Sequence, residues 1–194
     1  MELYAARHGQ TQSSIENCVM GGGGDSPLTA KGIEQAKGLG KLLKEIEFDV
    51  IYSSPLNRAI DTVKIAFGDK YQICIDERLT GIGMGDMEDM TWDEAEKIFP
   101  QSANFLVSEP VLYTPPPNGE HLSDMIKRVD SFLADIVKTN YTKVFILTHG
   151  YVLSVLHSCV TDKSISAIGK VPICPNCDLV HYIYNYGKWD RRIL

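Results

Sequence analysis

The run Glu2-Leu3-Tyr4-Ala5-Ala6-Arg7-His8-Gly9-Gln10-Thr11 passes from apolar residues straight into an arginine and a histidine side by side. So short a run, followed at once by Gly and polar residues, reads as a buried strand whose carboxyl end opens into a loop. In open α/β sheets that is where ligands bind. The Arg7 guanidinium beside the His8 imidazole suits an anionic substrate, with the histidine available as base, acid or nucleophile. The same pair also fits a solvated turn, and these ten residues alone leave both readings open.

Further along, Lys143-Val144-Phe145-Ile146-Leu147-Thr148 is the most strand-like run in the chain, and it delivers His149-Gly150 at its carboxyl end, repeating the arrangement at His8-Gly9. Phe48–Tyr52, Gln72–Ile75 and Leu179–Tyr184 are the other strand candidates. Between them lie helical stripes. Ile33, Ala36, Leu39, Leu43 and Ile46 follow an N-cap at Thr29, and Leu56, Ala59, Ile60, Val63 and Phe67 follow Ser53-Ser54-Pro55, with Pro in the first turn. Thr91 and Glu94 form a capping box that predicts a helix ending at Phe99-Pro100. Leu122, Met125, Ile126, Val129, Phe132, Leu133, Ile136 and Val137 define a long amphipathic helix, and Val152–Cys159 another. Strands alternating with helices predict a three-layer α/β/α fold, a mainly parallel central sheet with helices on both faces, in a single domain of residues 1–194.

Arg58 falls in the first turn of its helix, off the apolar stripe. A cation there conflicts with the helix dipole, a conflict that an anionic ligand would remove. Gln12–Gly24, ending in four glycines, reads as a mobile loop. It lacks the Lys-Ser/Thr of a P-loop and the spacing of a dinucleotide fingerprint. Gln101–Gly119 reads as irregular, with Pro115-Pro116-Pro117 stiff and extended.

Composition bounds the function. At 194 residues, 44% hydrophobic and 23% charged, the chain is an ordinary globular domain. A net charge of −6 argues against nucleic acid or anionic membranes as partners. The absence of a long apolar run and of a basic, apolar N-terminus leads to an expected cytoplasmic location. Five cysteines without regular spacing fit reduced thiols; Cys174-Pro175-Asn176-Cys177 has redox or half-zinc-site spacing but no companion pair. No Asp/Glu cluster has spacing that demands a metal, and the sequence leaves a homodimer open.

Five segments then occur in an order shared with a known family: Arg7-His8-Gly9-Gln10-Thr11; the Asp25-Ser26-Pro27-Leu28-Thr29 turn with Gly32 and Gln35-Ala36; Ser53-Ser54-Pro55-Leu56-Asn57-Arg58-Ala59; Gly119-Glu120; and Thr148-His149-Gly150. The chain resembles the phosphoglycerate-mutase-like branch of the histidine phosphatase superfamily over nearly its whole length, to Asn176 in the terminal segment. The resemblance implies a cofactor-independent phosphoric monoester hydrolase acting on a small phosphorylated metabolite. His8 would be the nucleophile that becomes phosphorylated, and Arg7, Arg58, His149 and Gly150 would surround the phosphoryl group. Two positions depart from the family. Ser14 stands where a phosphate-contacting Asn is usual, and Gly81 stands where the general acid, a Glu, is expected. Glu88, or Asp86, is the substitute acid candidate. A positioned acid is typically worth about 10²–10⁴-fold, so two alternatives stay open: a catalytically weakened phosphate-ester-binding protein, and a phosphoglycerate-mutase-type phosphoryl transferase.

Overall fold

The computed structural model describes residues 1–192 and contains one six-stranded sheet. The strands are β1 (Glu2–Arg7), β2 (Val50–Ser53), β3 (Ile73–Ile75), β4 (Lys143–Thr148), β5 (Leu179–Asn185) and β6 (Lys188–Arg192), in the order β3-β2-β4-β1-β5-β6. The first four are mutually parallel, while β5 runs antiparallel to β1 and β6 antiparallel to β5. The expected three-layer architecture is present, with an antiparallel edge.

Alternation along the central strands explains why their sequences are apolar throughout. Tyr4 and Ala6 of β1 and Phe145 and Leu147 of β4 join one core; Leu3, Ala5, Val144 and Ile146 join the other. Each strand is buried on both faces, as parallel sheets require. Helices α2 (Ala30–Leu42) and α3 (Asn57–Phe67) cover the first face through Leu39, Ala59 and Val63. Helices α6 (Leu122–Ile136) and α7 (Gly150–Thr161) cover the second through Met125, Val129, Phe132, Val152 and Leu156.

Three segments differ from the sequence-based expectation. Gln12–Gly24 is not a free loop. Gln12–Ile15 forms a helical turn, α1, with Ser13 buried and its N–H on Ser26 Oγ at 3.0 Å. Val19 N–H bonds Met90 O at 2.7 Å and Gly22 N–H bonds Ile82 O at 2.8 Å. Those partners lie far along the chain, so local composition could not reveal them. The run Gln101–Gly119 contains α5 (Pro100–Ser108), which follows α4 (Trp92–Ile98), and a 3₁₀ turn at Pro110–Leu112. Pro100 occupies the first turn of α5, where its fixed φ favours helix and its missing N–H costs nothing. Finally, β5 continues into β6 through Tyr186 and Gly187, both at positive φ (49° and 79°), the conformation of a tight hairpin.

Candidate active site

Strand register brings the two histidines together. Arg7 of β1 is the ladder partner of Thr148 of β4, and His8 N–H continues the ladder to Thr148 O at 3.0 Å. The next residue on each strand is therefore a histidine at the carboxyl edge of the sheet, and the rings meet with centroids 5.1 Å apart at 62°. Ser54, just past β2, bonds Leu147 O through its N–H at 3.0 Å and so reaches the same edge.

The hydrogen bonds fix both imidazoles. His8 Nδ1 lies 2.8 Å from Gly9 O, which can only accept, so Nδ1 carries the proton and Nε2 keeps its lone pair. His149 Nδ1 faces Arg58 Nη2 at 3.4 Å, a donor only, and His149 Nε2 lies 2.8 Å from Ser54 Oγ, so the proton sits on Nε2 and points at the serine. Both rings are 6% exposed. Burial, reinforced by the Arg58 and Arg7 charges, pushes His8 down to about 3 from its ordinary 6.5. Burial first, then His8 and Arg58, also holds His149 well below that value. Two neutral imidazoles thus face the site.

Arg58, in the first turn of α3 as expected, is buried; only 2% of it is accessible. Its Nη1 donates to Gly24 O (2.8 Å) and Asp25 Oδ1 (3.1 Å), and its Nη2 to Gly21 O (2.7 Å). With His149 the fourth partner, Nε–H is the donor left over. Asp25 also accepts from the backbone N–H groups of Asn57 and Arg58 in the first turn of α3. The helix-dipole conflict is therefore relieved by the Asp25 carboxylate rather than by a ligand.

The glycine run is held in turn by Glu88, whose Oε2 accepts from Gly21 N–H (2.9 Å) and whose Oε1 accepts from Gly23 N–H and Met84 N–H (3.1 Å each). Gly21 has to be glycine, because a Cβ there would lie 2.3 Å from Ile82 O and 2.5 Å from Glu88 Oε1. Glu88 is thus placed on the glycine run, and its carboxylate lines neither side of the cavity described below. Asp86 is exposed and accepts from Asn118 Nδ2 at 2.8 Å.

Arg7 is fixed by the terminal segment. Its Nη1 donates to Cys174 O at 3.0 Å, Cys177 N–H donates to Arg7 O at 3.0 Å, and Asn176 Nδ2 donates to His8 O at 2.9 Å. The Cys174–Cys177 turn therefore cradles the strand end, and burial raises its thiols to about 11 and about 12. Arg7 Nε, by contrast, is buried with no hydrogen-bond partner. It lies against Gly150, whose added Cβ would be 3.3 Å from Arg7 Nε and 2.7 Å from Ile173 Cγ2. Gly150 is the first residue of the twelve-residue helix α7, whose opening N–H groups have no partner within the helix.

A cavity with two compartments opens on these groups. The polar one, about 260 Å³, is lined by Arg7, His8, Thr11, Ser14, Asn17 and Arg58. The apolar one, about 170 Å³, is lined by Met20, Gly81, Ile82, Met84, Leu106, Tyr151 and Ile173 together with His149 and Gly150; Arg7, His8, Met20 and Trp92 border both. Ser14 is in place, its Oγ 2.9 Å from Thr11 Oγ1. Sequence reasoning had assigned no role to Asp25, Ser54, Asn17 or Trp92. The capping box at Thr91 carried a signal for Trp92, since its reciprocal bonds (Thr91 N–H to Glu94 Oε2 at 3.0 Å, Glu94 N–H to Thr91 Oγ1 at 3.3 Å) set the indole in the first position of α4.

Two arginines, two neutral histidines and a helix N-terminus meet at the carboxyl edge of the parallel part of the sheet, an arrangement of donors that suits an anion. Residues 3–193 match the histidine phosphatase superfamily, branch 1, and the chain belongs to that superfamily. It is 34% identical over 172 residues to a putative phosphoserine phosphatase 2 from Hydrogenobacter thermophilus, covering 87% of this chain and 83% of that protein. It is 31% identical over 163 residues to the adenosylcobalamin/alpha-ribazole phosphatase of Escherichia coli, covering 80% of this chain and 77% of that protein. The solved structure of Bacillus stearothermophilus YhfR superposes with a TM-score of 0.92 at 32% identity, covering 99% of this chain and 95% of that one. No described helix is long and apolar enough to cross a membrane.

Proposed function

We propose that the protein is a phosphatase that hydrolyses a small phosphate monoester through a phosphohistidine at His8. The observation that carries this reading is the neutral, buried His8 imidazole, its Nδ1–H committed to Gly9 O and its Nε2 lone pair unengaged, beside the unpartnered Nε–H of Arg7. An unsatisfied buried donor costs about 1–3 kcal/mol, and a phosphoryl oxygen on Arg7 Nε removes that cost. The opening N–H groups of α7 from Gly150 onward, Arg58 Nε–H and the Ser14 hydroxyl supply further donors for the equatorial oxygens, where the transition state carries its charge. His149, with Nε2–H on Ser54 and Nδ1 accepting from Arg58 Nη2, supports the Arg58 guanidinium beside these donors.

In the first step His8 Nε2 forms a bond to phosphorus and the ester oxygen departs with the P–O bonding pair, taking from solvent the proton that the hydrolytic water later returns. Water then attacks the phosphohistidine, releasing phosphate and returning Nε2 its lone pair. Sequence relatives are named phosphatases and probable phosphoglycerate mutases. Hydrolysis fits better here, because the cations lining the cavity are Arg7 and Arg58, both committed to one phosphoryl group.

One observation favours a second reading. Gly81 lines the cavity where an acid would stand, and no carboxylate lines either compartment. A phosphate-ester-binding protein that turns over only esters with good leaving groups satisfies that geometry. Acid-quench of the protein reacting with p-nitrophenyl phosphate tests the first reading: an acid-labile phosphoenzyme is expected in the parent, and a His8→Ala protein should bind phosphate without turnover. Parent-level hydrolysis by His8→Ala would overturn it.

A further inference from the structure

The apolar compartment beside His8 says what the phosphate is attached to. Its wall is made by Met20, Met84, Trp92, Leu106 and Ile173, and the one charged side chain bordering it is Arg7, which the phosphoryl group engages. The Tyr151 hydroxyl proton is committed, because it donates to Leu106 O at 2.7 Å. What remains there to meet a polar group is the Trp92 indole N–H and the lone pairs of the Tyr151 oxygen, with no second charged side chain to pair a carboxylate or an ammonium on the organic half of a substrate, and burying such a charge unpaired is unfavourable. The volume, about 170 Å³, is close to that of cavities of about 150 Å³ that take up a benzene ring. Apolar surface continues outward at the rim, where Val107 is 51% exposed.

We propose that the substrate is a monoester of an apolar, ring-sized alcohol or phenol, whose hydrocarbon part fills this compartment while the phosphoryl group sits against Arg7, Arg58 and His8. The inference rests on the phosphohistidine reading. It also accounts for Gly81. A Cβ there would come 3.1 Å from Gly21 O, so the backbone packs closely on the glycine run and presents no polar side chain to the wall.

The test compares kcat/KM for benzyl phosphate and O-phosphoserine, both esters of primary alcohols, so that leaving-group chemistry is nearly matched and the organic half differs. Phenyl phosphate and 3-phosphoglycerate extend the panel. Benzyl over O-phosphoserine by at least tenfold is expected. The benzyl-to-phosphoserine ratio should fall by at least fivefold in Ile173→Asn, inside the compartment, and in Val107→Asp, a rim position half exposed and safe for folding. His8→Ala is assayed alongside. Turnover that depends on His8 with O-phosphoserine or 3-phosphoglycerate equal to benzyl phosphate overturns the apolar assignment and leaves the phosphohistidine reading standing. An unchanged ratio in both wall variants does the same. Turnover that survives His8→Ala removes the reading underneath and this inference with it.

Discussion

Replacing Glu88 with Gln separates two roles that predict different kinetics. As a general acid, Glu88 would contribute about 10²–10⁴-fold to esters of alkyl alcohols and almost nothing to p-nitrophenyl phosphate. As the tether of the glycine run, it accepts three backbone N–H bonds, from Gly21, Gly23 and Met84. Hydrogen bonds to a charged acceptor are worth about 1.5–3 kcal/mol each when buried. Glu88 is partly buried, and the amide keeps one acceptor oxygen, so the loss in Glu88→Gln is about 2 kcal/mol for the set. That is about 30-fold in the equilibrium that keeps the Gly21 and Gly24 carbonyls on Arg58. The tether role therefore predicts a fall in kcat/KM of up to about 30-fold, equal for benzyl and p-nitrophenyl phosphate. It also predicts non-additivity: in an Arg58→Ala background the same substitution should change little, because the group it positions is gone. Steady-state kinetics of the four proteins on the two esters decides the matter. A loss above a hundredfold confined to benzyl phosphate would refute the tether argument and restore Glu88 as the acid.

Four other outcomes follow from the same geometry. His8 is neutral in the native state down to about 3 but takes a proton near 6.5 when unfolded, so the unfolded state binds more protons between those values and stability falls as pH drops through 6.5. Urea midpoints should show a destabilisation from pH 7 to pH 5 that is smaller in His8→Ala by about 2 kcal/mol, and an equal pH response in the two proteins would contradict the buried neutral imidazole. Gly150→Ala drives a methyl against Ile173 and Arg7, and should cost about 1–3 kcal/mol of stability and weaken vanadate inhibition by tenfold or more; an unchanged inhibition constant would mean that Arg7 is not where the structure puts it. Asp25→Asn removes the partner of Arg58 and of the first turn of α3, and thermal denaturation should register a loss of about 1–3 kcal/mol, with parental stability counting against the ion pair. The thiols of Cys159, Cys174 and Cys177 are raised by burial to between about 11 and about 12, so iodoacetamide at pH 8 should modify them far more slowly than a free model thiol, which mass spectrometry can follow.

The layers and the polar half of the site could be read from the chain because they rest on local signals. Strands buried on both faces are continuous apolar runs, and each of the two central ones hands a histidine to the sheet edge one residue past its last ladder pair, so His8 and His149 could be placed together before any coordinates. Arg58 was located but its environment was not. Its burial depends on carbonyls of Gly21 and Gly24 and on Asp25, more than thirty residues away, and glycines in a row look alike whether they move or are held by Glu88. The same limit hid α5, whose nine residues show little periodicity between two prolines.

The apolar compartment was invisible for a stronger reason. Met20, Met84, Trp92, Leu106 and Ile173 come from five separated stretches, and each by itself is an ordinary hydrophobe. Under the proposed function the groups that would hold the phosphoryl group are fixed by the sheet edge, whereas the wall is supplied by segments outside the sheet that can vary without disturbing it. Choice of substrate therefore belongs to those segments. Gly81 lies on one of them, so the missing acid and the apolar wall are parts of one surface, and the Cβ of a Gly81→Glu protein, 3.1 Å from Gly21 O, would crowd the glycine run that holds Arg58. Such a variant is expected to lose Arg58 placement before it gains proton donation, and so to fall in kcat/KM on aryl and alkyl esters alike. A selective gain on alkyl esters would show that the wall tolerates an acid and that the chain merely lacks one.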